Sequence, residues 1–264
     1  MTYEFRDIEK HSSPPKERPI ESLTFNGYNL DDEIEEFTTL NVDGRDNYTR
    51  KLNVADTFGD GDFFLNSSLD KNVITVKFFL IADDTDKFNL AFTRLKSLLQ
   101  GDEKTFYFDD EQEFTRTGTV TKLTNTEPGS IGVEGNIEIT MSDPYRYGQV
   151  KEVSGTNVAY INDPQILYPQ NVDTITIKNG TSSVNTLKLT IGNDWSLVLN
   201  GSIPANSTIV VDINNRQINQ NGTSILNYID ITKTNIFEAR IKLGDQVRVS
   251  GAKGLNVKYR VKLL

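Results

Sequence analysis

"SDPYRYG", residues 142–148, decides how this chain is divided. It follows the alternating stretch "NIEITM" (136–141), which has the period of two of a half-buried strand. Asp143-Pro144 then ends that strand, because proline cannot donate to a strand ladder and restrains the residue before it. Two tyrosines around an arginine follow, where a chain leaves one domain for the next. Large rings at such an exit bury much area, so Tyr145 and Tyr147 are expected, with Asp143 and Pro144, to form the inter-domain junction.

Working back from that exit, residues 22–148 read as one domain. "LTFNGYNL" (23–30) places Asn26-Gly27 between flanking apolar residues, the signature of a tight two-residue hairpin. Short strands are expected around Phe37–Val42, Thr49–Val54 and Val73–Ile81, separated by the turns "VDGRDN" and "FGDGDFF". The "GDGD" at 59–62 lacks the glutamate that a calcium-binding loop carries six residues after its glycine, since Ser67 stands there, so it reads as a hairpin turn. One helix is predicted at about 86–100. Phe88, Ala91, Phe92, Leu95, Leu98 and Leu99 recur at steps of three and four, with Thr85 or Asp86 as cap and Gly101 just past the end. Residues 1–21, with three prolines and no period, read as an N-terminal arm.

Working forward, residues 149–172 read as a linker with an irregular entry strand. Residues 173–264 hold short alternating stretches with Gly/Asn turns and no helical period, which predicts an all-β sandwich or jelly roll. Its last stretch alternates from Leu255 to Leu263. Lys258, Arg260 and Lys262 face the other way, as a solvated basic face that also discourages edge-to-edge aggregation.

The composition narrows function. With no cysteine and a single histidine, His11, thiolate catalysis, cysteine–zinc sites and histidine triads are excluded. No nucleophile elbow, zinc-protease, Walker A or dinucleotide motif occurs, and neither catalysis nor a cofactor is expected. No apolar run approaches the roughly 20 residues of a membrane helix, and the acidic N-terminus does not suit a signal peptide, so the protein is expected to be made and kept in a cytoplasm or to leave it by a route other than secretion. Net charge is −9: the first 150 residues balance to −13 and the rest to +4. Trp195, Tyr160, Tyr168 and Tyr228 are the aromatics of the second half. Trp195 and Tyr228 are candidates for a saccharide-stacking platform, although a lone tryptophan in a sandwich is more often its core plug.

The ordered set "LTFNG" (23–27), "VDGRD" (42–46), "GDGDFF" (59–64), "ITVKFFL" (74–80), the helix at 88–99, "FYFDDE" (106–111) and "SDPYRYG" resembles the distal tail protein (Dit) family of long, non-contractile-tailed bacteriophages. The resemblance implies an N-terminal β-sandwich-like domain with one helix, and a C-terminal sandwich like a galectin or carbohydrate-binding module. It implies a structural virion protein that forms a homo-hexameric ring. That ring joins the major tail (tube) protein to the tail-tip protein and to receptor-binding or other baseplate proteins, and DNA passes through its lumen without specific binding. Such a protein is assembled in the host cytoplasm and resides at the virion tail tip. Residues 1–20 exceed a minimal family start, and the second half has no room for a long inserted arm. The alternative expectation, from another class, is a two-domain glycan-binding adhesin.

Overall fold

The computed structural model describes residues 17–234 and 239–264; His11 and most of the expected arm lie outside them. The chain divides into two compact units, Met1–Pro144 and Tyr145–Leu264. It is mainly β throughout.

In the first unit the elements run β1 (Leu23–Phe25), β2 (Tyr28–Asn29), a single-turn α1 (Leu30–Glu33), β3 (Phe37–Asp43), β4 (Arg50–Asp56), β5 (Asp62–Leu69), β6 (Asn72–Ile81), α2 (Thr85–Leu98), β7 (Lys104–Phe108), β8 (Phe114–Leu123) and β9 (Gly132–Met141). Two antiparallel sheets share β8: one in the order β2–β1–β7–β8, the other β3–β6–β9–β8. The Asn26-Gly27 turn has positive φ at both residues, 51° and 86°, as a tight hairpin demands. Side chains from both sheets and from α2 fill one phenylalanine-rich core. Phe25 stacks near Phe106, and Phe37 lies 5.2 Å from Phe78 between centroids.

Helix α2 buries Phe88, Ala91, Phe92 and Leu95, the expected stripe. Its cap is Asp84, one residue before the expected candidates. The Asp84 carboxylate accepts from the Lys87 N–H at 2.8 Å, satisfying a first-turn donor. An aspartate with extended backbone, followed by residues that can all turn helically, sets the boundary there.

The second unit holds β10 (Arg146–Gly155), β11 (Val158–Tyr160), β12 (Gln170–Asn171), β13 (Thr174–Asn179), β14 (Val184–Ile191), β15 (Trp195–Ile203), β16 (Thr208–Asp212), β17 (Gln217–Gln220), β18 (Thr223–Ser224), β19 (Arg240–Ile241), β20 (Gln246–Val249) and β21 (Ala252–Leu263). One sheet runs β18–β17–β16–β13–β21–β10 and a second β11–β20–β14–β15. Their inward residues share one core: Ile175, Ile177, Val257 and Tyr259 from the first sheet, Leu187, Leu189, Leu197 and Val247 from the second. This core is almost wholly aliphatic.

The irregular entry strand expected in residues 149–172 is the latter part of β10, which runs on to Gly155 and pairs with β21, with Gly155 opposite Leu255. A bulge between Tyr147 and Val150 breaks the local alternation and makes the strand irregular. The last strand lies inside its sheet, since β21 pairs with β10 on one side and β13 on the other. Its basic row is therefore partnered: Lys258 Nζ lies 2.5 Å from Glu152, and Arg260 Nε 3.2 Å from Asp173.

Candidate functional site

The tyrosines of "SDPYRYG" belong to the second unit, since the division falls after Pro144. Asp143 and Pro144 are half-buried just beyond the end of β9. Tyr147 stands opposite Lys262 in the ladder, and Lys262 Nζ lies 3.7 Å from the centroid of the Tyr145 ring. Arg260 lies 5.3 Å from the Tyr147 ring, and Tyr145 tilts against Tyr168 at 6.4 Å. Cations over ring faces at these distances are attracted by the ring quadrupole. Both rings thus brace the first strand of the second unit against its last.

The pair considered for saccharide stacking is placed otherwise. Trp195 is 6% exposed and belongs to the aliphatic core, because it opens β15 directly opposite Ile191 and points inward from the turn. Tyr228 is half-buried and lies against the core, and its ring covers Gly201 so closely that a Cβ there would come within 2.4 Å. Trp195 has no free face on which a sugar could stack, and Tyr228 has one face covered. This edge of the fold opens instead on a polar cleft of about 680 Å³, bordered by Trp195 and by the ion pair of Lys242 with Asp194 at 3.0 Å.

The feature that sequence reasoning missed is in the first unit. Among the described residues, strands β4 and β5 pair only with each other, as a ribbon that interrupts the hairpin β3–β6. The expected strand at Thr49–Val54 and the "GDGD" turn are both there, but as one limb and the tip of this ribbon. Every residue from Arg50 to Asn66 is exposed, including Leu52, Val54, Leu65 and three phenylalanines. Phe58 at the tip is fully exposed, Phe63 is 63% exposed and Phe64 57%. Val54 stands opposite Phe64, and Ala55 opposite Phe63, so apolar side chains occupy both faces. The signal available in the sequence was the cluster Phe63-Phe64-Leu65 beside a turn, with no period of its own.

The root of the ribbon is firmly held. Gly44 turns with φ of 91°, and a Cβ there would come 2.5 Å from the carbonyl oxygen of Val73. The Asn72 side chain donates to the Gly44 carbonyl at 3.1 Å. Arg45 bridges Glu21 at 2.6 Å and Asp110 at 2.8 Å, and its guanidinium lies 4.9 Å from the Phe108 ring centroid. The Arg45 hydrogen bond holds the Asp110 carboxyl below its ordinary value, and Asp110 raises Arg45 in turn. This is the role of the arginine in "VDGRD".

Three comparisons place these features among known proteins. Residues 28–144 match the family model described as a phage tail protein RIFT-related domain. No curated protein matches the chain in sequence. Among solved structures, the Dit (gp 19.1) protein of phage SPP1, described as a paradigm of the hub adsorption apparatus in phages infecting Gram-positive hosts, superposes with a TM-score of 0.75 at 16% identity. That match covers 93% of this chain and 100% of the other. A chain of the phage p2 baseplate in its activated conformation matches more weakly, at 10% identity and a TM-score of 0.44, over 88% of this chain and 92% of that one. Residues 28–144 thus resemble a phage tail protein domain, and the chain shares the fold of the SPP1 Dit protein.

Proposed function

We propose, from the premise that this chain carries a phage tail protein domain on the fold of a distal tail protein, that it is the structural hub at the distal end of a siphophage tail. In this reading six copies close into a ring that continues the tail tube. The ring joins the tube to the tail-tip protein and to the receptor-binding apparatus used in host attachment.

The single observation that carries the reading is the coverage of the SPP1 Dit match, which takes in 93% of this chain and all of the other. Fold likeness alone does not fix function. Here it coincides with an independent family match over residues 28–144. The acidic balance of the first 150 residues, −13, suits a ring through which DNA passes without sticking. The glycan-binding adhesin is the weaker reading, because Trp195 is packed in the core.

The test is antibody–gold labelling of virions that carry this chain, viewed by negative stain. Gold confined to the distal end of the tail is expected. Gold along the shaft, on the capsid, or absent from intact virions would overturn the proposal.

A further inference from the structure

We infer that the outer edge of β3 is sealed against strand addition by two carboxylates of its own chain, Asp31 and Glu21, so that neither a partner nor a second copy extends the sheet there. The inference stands apart from the ring reading above and holds whether or not a ring forms.

Of the two sheets of the first unit, one ends on β2, which is two residues long, and the other on β3, which is seven. An edge strand of that length presents a row of backbone groups on which another extended chain can pair. Strand β3 pairs with β6 from Phe37 opposite Leu80 to Asp43 opposite Thr75, with a bulge between Thr39 and Asn41. Antiparallel pairing turns alternate residues toward the neighbour. The Glu36 carbonyl accepts from the Ile81 N–H, which sets the parity. The N–H groups of Phe37, Thr39 and, past the bulge, Val42 therefore point away from β6.

All three of these donors are taken. The Phe37 N–H donates to the Ile34 carbonyl at 3.1 Å, in the turn that leaves α1. The Thr39 N–H donates to Asp31 Oδ1 at 2.9 Å, and the Val42 N–H to Glu21 Oε2 at 3.1 Å. An arriving strand finds no free donor at these positions, and its carbonyl oxygens meet carboxylate oxygens already in place. A neutral acceptor would satisfy the two N–H groups as well; a charged one adds repulsion toward the carbonyls of another chain.

Both carboxylates are held where they act. The single turn α1 carries Asp31 back over β3, and Asn29 caps that turn by accepting from the Asp31 and Asp32 N–H groups. Asp31 is buried, and its Oδ2 accepts from the hydroxyls of Ser22 and Thr39, both at 2.7 Å. Those bonds replace the water that a buried carboxylate loses. Glu21 is fixed through its other oxygen by Arg45 at 2.6 Å, and Arg45 is anchored in turn on Asp110. The arginine of "VDGRD" thus steadies one clasp of the seal, and hydroxyls steady the other.

Residue-resolved amide hydrogen exchange on the full chain tests the seal. In the wild type the Thr39 and Val42 amides should exchange as slowly as those of β6, which is paired on both sides. In Glu21→Ala the Val42 amide should exchange about a hundredfold faster while Thr39 stays slow. Glu21→Gln, which keeps an acceptor, should restore the protection. The double variant Glu21→Ala, Asp31→Ala is sized by light scattering beside the wild type. It should form larger species with rising concentration and bind thioflavin T, and Glu21→Ala alone decides this arm if the double variant does not fold. A Val42 amide that exchanges freely in the wild type, or one that Glu21→Ala leaves slow, would overturn the seal. An unsealed variant that folds and grows no larger than the wild type would overturn its role against strand addition.

Discussion

Strands β5 and β6 each carry two adjacent phenylalanines. On β6, Phe78 is fully buried against Phe37, and only Phe79 reaches the surface. On β5, Phe63 and Phe64 are both more than half exposed, and among the described residues the strand's only partner is β4. The difference lies in the neighbours. Strand β6 is flanked by β3 and β9 and covers a core, so its alternation sorts residues into inside and outside. The ribbon has no second layer, so alternation there sorts residues between two wet faces. One region of this unit is sorted by a core, and the other is sorted by none.

The largest expected effect probes the core side. Phe78→Ala should cost about 3–5 kcal/mol through lost burial and the cavity left beside Phe37. Calorimetry should show the first unit's transition falling while that of the second, with its separate aliphatic core, stays in place. A joint shift of both would break the picture of two compact units. Next, Gly44→Ala forces a side chain into a left-handed conformation against the Val73 carbonyl and should cost about 2 kcal/mol in denaturant unfolding.

A smaller effect comes from the root ion pairs. Asp110 is held below its ordinary pKa, chiefly by the Arg45 hydrogen bond. A depressed carboxylate contributes stability that is present above its unfolded value, near pH 4, and lost as pH falls through the folded value. Asp110→Asn should therefore cost about 1 kcal/mol at pH 7, a modest figure for a partly exposed pair. The gap from wild type should close in acid below pH 4; a gap that persists there would place the effect outside the ion pair. Smallest of all, Phe63→Ser with Phe64→Ser should change unfolding free energy by less than about 0.5 kcal/mol, measured at concentrations where the chain is monomeric. A large loss would mean that the ribbon is part of the fold rather than an arm.

Much of the fold was legible where the determining contacts are local. Asn26-Gly27 needed only its own positive φ values, and helix α2 only its stripe from Phe88 to Leu95. Strand β10 was legible only as an irregular entry strand, because its partner β21 lies about a hundred residues further on and a bulge breaks its alternation. Trp195 beside a turn was open to two readings, a surface ring or a core plug, and only its pairing with Ile191 directs it inward. The ribbon was only half legible: period two identifies strands, yet nothing in a local pattern reports that a strand has no core to cover.

The central claim is that the first unit assembles copies of this chain into a closed ring, and the mass of the intact protein in solution tests it most directly. Light scattering after size exclusion, across a range of concentrations, should find a species of six times 29.7 kDa, or a pair of such rings. A single-copy mass at every concentration would contradict the account.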